Sequence, residues 1–378
     1  MLQLIDLFLA ACLLGWAGQS EAVLKRAIEA HQSGDIAGAI EGYREFLKLQ
    51  PQNPEARSNL GAALASQGQY EDAIVEYEKA LKIAPGNPGV SLNLALAYYK
   101  TADLTKAAVV LEDLRAKQPR NMQVTLLLAD CLLQSGENEK LIALLTPLNT
   151  DADHDLAIDY LLGSALIRGK QMERGQLLLD KILRNGESPE GHLMMGTAKM
   201  TVGDYPGAME DLRRAVELNP KLPSANAWYG QAQMATGDTE AAAKSFLAEL
   251  QNNPNDYDAN LNLGVLARKD QDYDQAARYL DRARHVRPGD LRARYQMATI
   301  ELARGEVEDA RRSLEGIVQE SPNFTEAHVS LATVNYRLKR KEDGDRERAL
   351  VLKLNAEEQA KQPGVQASPN GGLEKKMP

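Results

Sequence analysis

Apolar residues in this chain come in short bursts at helical spacing, separated by small turn-forming clusters. Residues 54–87, PEARSNLGAALASQGQYEDAIVEYEKALKIAPGN, show the pattern clearly. Leu60, Gly61, Leu64 and Ala65 fall on one face of a helix, and Ala73, Tyr77, Ala80 and Leu81 on one face of a second. Gln67-Gly68-Gln69 supplies a turn between them, with Gly68 free to adopt a positive φ. Pro85-Gly86-Asn87 ends the second helix, and Pro88 can open the next. The stretch predicts a hairpin of two amphipathic helices.

The same unit recurs about every 34 residues. With Pro54 as position one, units start at Ser20, Pro54, Pro88, Met122, Leu156, Pro189, Pro223, Tyr257, Leu291 and Thr325. Position eight is always small: Ala27, Gly61, Ala95, Ala129, Gly163, Gly196, Gly230, Gly264, Ala298 and Ala332. A small residue there lets two helices approach closely. Position twenty is Ala except at Leu141, Gly175 and Gly344, and position thirty-two is Pro except in units four, five and ten. One hairpin buries too little surface to stand alone, whereas stacked copies bury a continuous core. The period therefore predicts an all-α array rather than separate globular domains.

These positions resemble the tetratricopeptide repeat (TPR) family, with ten copies in register over residues 20–355. The resemblance implies a right-handed α-solenoid, a superhelix of tandem helical hairpins. Repeats four and five depart most from the pattern, and residues 147–155 read as a longer polar loop. The charged stretch from Glu342 to Gln359 reads as a polar terminal helix, as an array end requires. Residues 356–378 are expected to form a disordered tail, rich in Pro, Gly and polar residues.

In TPR proteins the first helices of successive repeats line the concave groove. By this resemblance positions two, five, six, nine, twelve and thirteen face it, and helix geometry puts those offsets on one side. Position six carries Asn59, Asn93, Asn262 and Gln296, whose amides can donate to and accept from a peptide backbone. This resembles part of the Asn ladder with which some TPR superhelices hold peptides. The middle repeats are apolar instead: Leu127, Leu133, Tyr160, Leu161, Ile167, Met194, Met200, Trp228 and Met234. If other positions fill the core, these form a docking patch with Tyr160 and Trp228 as anchors. Two competing readings are that repeats four and five repack and bury them, or that a second copy covers them. Lys25, Lys100, Arg168, Lys269 and Arg292 do not make the cationic set with which chaperone-binding TPR domains clamp a carboxylate.

Composition narrows the function. The 378 residues carry a net charge of −9 with both signs interspersed, and the pI of about 5.3 lacks the basic face that nucleic acid requires. The five histidines stand apart, without ligand spacing, and read as satisfied side chains. No HExxH, P-loop or GxSxG motif occurs. The basic run Arg337 to Lys341 meets Glu342, Asp343 and Asp345 and reads as a solvated turn. Cys131 reads as a small core residue. No catalytic residue, cofactor, metal or small-molecule substrate is expected.

Residues 1–19 differ from the rest. The apolar run Leu7–Ala17 fits a signal-peptide core, while Leu9-Ala10-Ala11-Cys12 resembles the lipobox of bacterial lipoproteins, which would lipidate Cys12. A short apolar helix capping the first repeat is the third reading, since Asp6 interrupts the run and no basic residue precedes it. The expected protein is a non-catalytic scaffold that binds a peptide or helix of another protein and is exported from a bacterial cytoplasm, to the periplasm or outside, with a lipid anchor if Cys12 is the processing site. Alternatives are a self-associating assembly part, an accessory subunit of an enzyme on another chain, and a cytoplasmic location.

Overall fold

The computed structural model describes residues 20–149, 155–184 and 187–360. The expected leader with Cys12, and the tail beyond residue 360, lie outside them. Twenty α-helices stand among the described residues, no strand is found there, and the helices pair as the period predicts. The first six hairpins are α1 (20–33) with α2 (Ile36–Leu49), α3 (Pro54–Ser66) with α4 (Tyr70–Ile83), α5 (Pro88–Lys100) with α6 (Leu104–Lys117), α7 (Met122–Ser135) with α8 (Asn138–Leu145), α9 (Leu156–Arg168) with α10 (Met172–Leu183), and α11 (Pro189–Val202) with α12 (Tyr205–Leu218). The last four are α13 (Ala225–Thr236) with α14 (Thr239–Asn252), α15 (Tyr257–Lys269) with α16 (Tyr273–Val286), α17 (Leu291–Ala303) with α18 (Val307–Glu320), and α19 (Thr325–Arg337) with α20 (Lys341–Ala360). The last helix carries residues 356–360, which were expected to begin the tail. The chain divides into two compact units, residues 1–220 and 221–378.

Local chemistry fixes each hairpin. The residue at position fifteen is left-handed in all ten repeats: Gly in six of them, and Ala102, Lys170, Gln271 and Lys339 in the others. That single αL residue reverses the chain between the two helices. The next residue caps the second helix, as when Asp35, Asp103, Asp204, Asp238 and Asp272 accept from the third following amide. Asn53, Asn87, Asn121 and Asp256 cap first helices likewise.

Position eight works as expected. A Cβ on Gly61 would sit 2.7 Å from the Tyr77 ring, and one on Gly230 would sit 2.7 Å from the Phe246 ring. Position twenty-four of the second helix thus packs into the hole at position eight of the first. Tyr77 and Phe246 are almost fully buried. Each second helix also packs on the next first helix within a unit, as α4 does on α5 and α16 on α17.

Repeats four and five differ. Helix α8 stops at Leu145 and passes into a 3-10 turn, Thr146–Leu148. Helix α9 touches α7, α8, α10 and α11, and every residue from Leu161 to Ile167 is buried.

Candidate groove in two parts

First helices of neighbouring repeats touch one another, α3 with α5, α7 with α9 and α9 with α11 in unit 1, and α13 with α15, α15 with α17 and α17 with α19 in unit 2. They line one face of each unit. On that face of unit 1, Asn59 and Asn93 are half-buried and border one cavity of about 460 Å³ between α3 and α5. Asn59 also borders a second cavity of about 380 Å³ toward α1. No hydrogen bond occupies either amide among the described residues.

The structure corrects the apolar middle. Leu133 (5% exposed), Leu161 (8%), Ile167 (1%) and Met194 (1%) are interior side chains, so they offer no docking surface. Glycines explain two of them. Gly175 stands where seven of the ten repeats carry Ala, and a Cβ there would lie 2.7 Å from Ile167 Cγ1, so Ile167 fills the space the missing methyl leaves. Met194 Cε likewise occupies the hole over Gly163 in the preceding repeat. Leu133 and Leu161 join the core cluster that runs through unit 1. Leu127, Tyr160 and Met200 stay half-buried, as does the neighbouring Leu126, and Leu96 is exposed. Burial pushes the Tyr160 phenol up to about 12.

One polar network on this face was missed by the sequence reading. The Tyr99 hydroxyl donates to Asp130 at 2.5 Å, and Gln134 Nε2 donates to the same carboxylate oxygen at 2.8 Å. Burial raises the Asp130 pKa, against the two hydrogen bonds and the charge of Arg168. Reading positions nine, twelve and thirteen of adjacent repeats together would have revealed it, since Tyr99 is position twelve of repeat three and Asp130 and Gln134 are nine and thirteen of repeat four.

In unit 2 Trp228 and Met234 are half-buried, and Met234 packs on the cluster around Phe246. The amides there are partly committed. Asn262 Nδ2 donates to the Asp258 carbonyl at 2.8 Å, and Gln296 Oε1 accepts from Arg268 Nε at 3.1 Å. Of the four position-six amides, only Asn59 and Asn93 have both donor and acceptor open.

The histidines are satisfied where they meet packing. His192 lies between Glu187 (3.1 Å) and Asp211 (3.3 Å), and His328 between Glu347 (2.6 Å) and the Pro322 carbonyl (3.0 Å). Arg57 holds the matching place in repeat two, against Glu76 and the Pro51 carbonyl. These are bonds within hairpins and to the preceding connection. Cys131 is buried, and burial pushes its thiol up to about 12. Among the described residues no group of three His, Cys, Asp or Glu side chains could hold a metal, and no helix is long and apolar enough to cross a membrane.

Two tetratricopeptide repeat family models match, one over residues 64–121 and 267–334, the other over 24–88, 193–257 and 230–290. Together they span well over half of the chain. The protein belongs to the tetratricopeptide repeat family. The drifted repeats four and five of this TPR chain fall in the gap between the matches. No curated protein sequence matches it. Among solved structures, the APC/C hetero-tetramer Cut9-Hcn1 is similar at 11% identity and a TM-score of 0.53, over 89% of this chain and 87% of that one. That likeness shows the fold, an α-solenoid of stacked hairpins. Yeast Tom70 is similar at 18% identity and a TM-score of 0.40, over 90% of this chain and 77% of its own. A TPR array of this kind is, in general terms, a protein-interaction scaffold.

Proposed function

We propose that this TPR protein is a non-catalytic scaffold that holds an extended segment of a partner protein in the groove of unit 1. The observation that carries the reading is the pair Asn59 and Asn93. Both amides border one cavity, lie one repeat apart, and have their hydrogen-bonding groups open. Such an amide can take a backbone N–H and C=O at once, so it grips any extended segment regardless of sequence. Leu96, Leu126, Leu127 and Tyr160 lie beyond them on the same face and offer apolar area for the segment's side chains. Four of the residues first expected there are interior, so affinity rests on the N-terminal repeats.

A displayed library of unstructured peptides, selected on the immobilised full chain, tests this. Selected peptides should lose at least about tenfold in affinity for the Asn59→Ala/Asn93→Ala double variant, the loss of two net hydrogen bonds. The variant should keep its helical circular dichroism. Peptides that bind both proteins equally would refute groove capture. Export belongs to the same proposal and rests on the apolar run of residues 7–17. N-terminal sequencing of the mature chain separates cleavage near Ala17, lipidation at Cys12 and an intact Met1.

A further inference from the structure

The two adjoining cavities of repeats one to three share Glu55 and Asn59 on their walls. Both residues lie on α3 four positions apart, so their side chains share one face. Among the residues lining either cavity Glu55 is the only Lys, Arg, Asp or Glu. The rest of the lining is uncharged: Ser58, Asn59, Asn87 and Asn93 stand among small and apolar residues such as Ala80 and Val90 in one cavity, and His31 and Gln32 stand beside Ile28 and Tyr43 in the other. Glu55 is exposed and has no ion pair or hydrogen bond among the described residues. The nearest cation in sequence, Arg57, is turned away: its guanidinium holds the Pro51 carbonyl at 2.7 Å and Glu76 at 2.6 Å. Lys25 on the neighbouring helix stands by Glu29 instead.

The charge of Glu55 is felt within this space. Burial first, and then Glu55, raise the pKa of Tyr43, whose ring borders the second cavity and whose hydroxyl meets His31 Nδ1 at 3.3 Å. An exposed carboxylate with no internal partner, at the wall shared by two cavities that carry no other charged side chain and beside two open amides, favours a cationic group.

We propose that the recess selects a Lys or Arg side chain on the captured segment, with Glu55 as the specificity-determining residue and Asn59 and Asn93 holding the adjacent backbone. This deepens the groove reading and rests on it. It also reverses the polarity of a carboxylate clamp: the protein supplies the anion and the partner the cation.

Chain labelled with ¹⁵N at asparagine would be titrated with three small probes: Nα-acetyl-arginine amide, Nα-acetyl-glutamate amide and neutral acetyl-trialanine amide. The side-chain amides of Asn59 and Asn93 report binding. The arginine probe should bind about twofold to fivefold tighter than the neutral one, the range an exposed ion pair supports, and the glutamate probe weaker than both. Added salt should shrink the difference. In Glu55→Gln the arginine and neutral probes should bind alike, while the neutral probe is unchanged from wild type. Equal binding of all three probes to wild type would overturn the charge selection and leave the groove intact. Failure of every probe to move either amide would overturn both.

Discussion

Replacing Glu249 with Gln should stabilise unit 2 above neutral pH and change it little in acid. Glu249 is position twenty-seven of repeat seven, where repeats two, six and eight carry Ala80, Ala215 and Ala283. It is fully buried. Its carboxylate accepts the Ser224 amide at 2.9 Å, and the Asn226 and Ala227 amides as well. It thereby caps α13, which begins two residues after Pro223 because Ser224 is left-handed, at φ 64°, and offers no side-chain cap. Asp256, also buried, accepts from the Ser224 hydroxyl at 3.2 Å. Two carboxylates thus flank one serine out of water. Burial, then the charge of Asp256, push Glu249 up to about 7. Burial, then Asp258, push Asp256 up to about 6, against Arg287 and the hydrogen bonds it accepts.

The sign follows from proton binding. An unfolded glutamate loses its proton near pH 4.3, roughly. Between there and about 7 the folded side chain keeps a proton that the unfolded one has shed. The folded state binds more protons, so stability falls as pH rises through this window and the loss is complete above it. At about 1.4 kcal/mol per pH unit the cost is on the order of 3 kcal/mol, shared between the two coupled groups. Gln keeps an oxygen for the three amides but cannot ionise. Urea midpoints of wild type and Glu249→Gln should coincide at about pH 4 and below and diverge toward pH 8 with the variant higher. The Glu249 ¹³C carboxyl signal of wild type should titrate near neutrality. Parallel midpoints across the range, or a carboxyl that titrates near its unfolded value, would show that the helix end and its amides hold the charge at no cost.

Two further outcomes follow from packing and turns. Met194→Ala should cost about 2–5 kcal/mol through the cavity it leaves over Gly163, and it should broaden or split the unfolding transition of unit 1, read by urea titration. A variant that melts like wild type would place Met194 on the surface after all. Gln271→Gly should gain up to about 1 kcal/mol, because an exposed non-glycine at φ 64° carries αL strain, with the rise in thermal midpoint as the readout.

The hairpins were legible because 34 is also their structural period. Of the nine first helices whose start is described, eight begin where the pattern starts a repeat, from Pro54 and Pro88 to Leu291 and Thr325. The exception, α13, starts late for a reason no helical period encodes: a left-handed Ser224 capped from another helix. Its trace in the sequence is a Glu at a position of small and apolar residues, visible only when position twenty-seven is compared across repeats. The inner face was half legible. Position labels place a side chain on one side of a helix, but a long flexible residue at the margin turns toward whichever side has room.

Room is set by the glycines, and this explains why the amides and the apolar residues part company. In repeat two the hole at Gly61 is filled from its own hairpin by Tyr77, so nothing draws the groove residues inward and Asn59 stays at the cavity wall. In repeat five the contact over Gly163 comes instead from Met194 of the next repeat, and the second hole at Gly175 takes Ile167. Each of those side chains gains more by filling a void than by lining a wet groove, since burial of such a residue is worth about 1.5–3 kcal/mol. A methyl at either glycine would take up that space, so Gly163, which keeps the pattern, and Gly175, which departs from it, together draw these two side chains out of the groove.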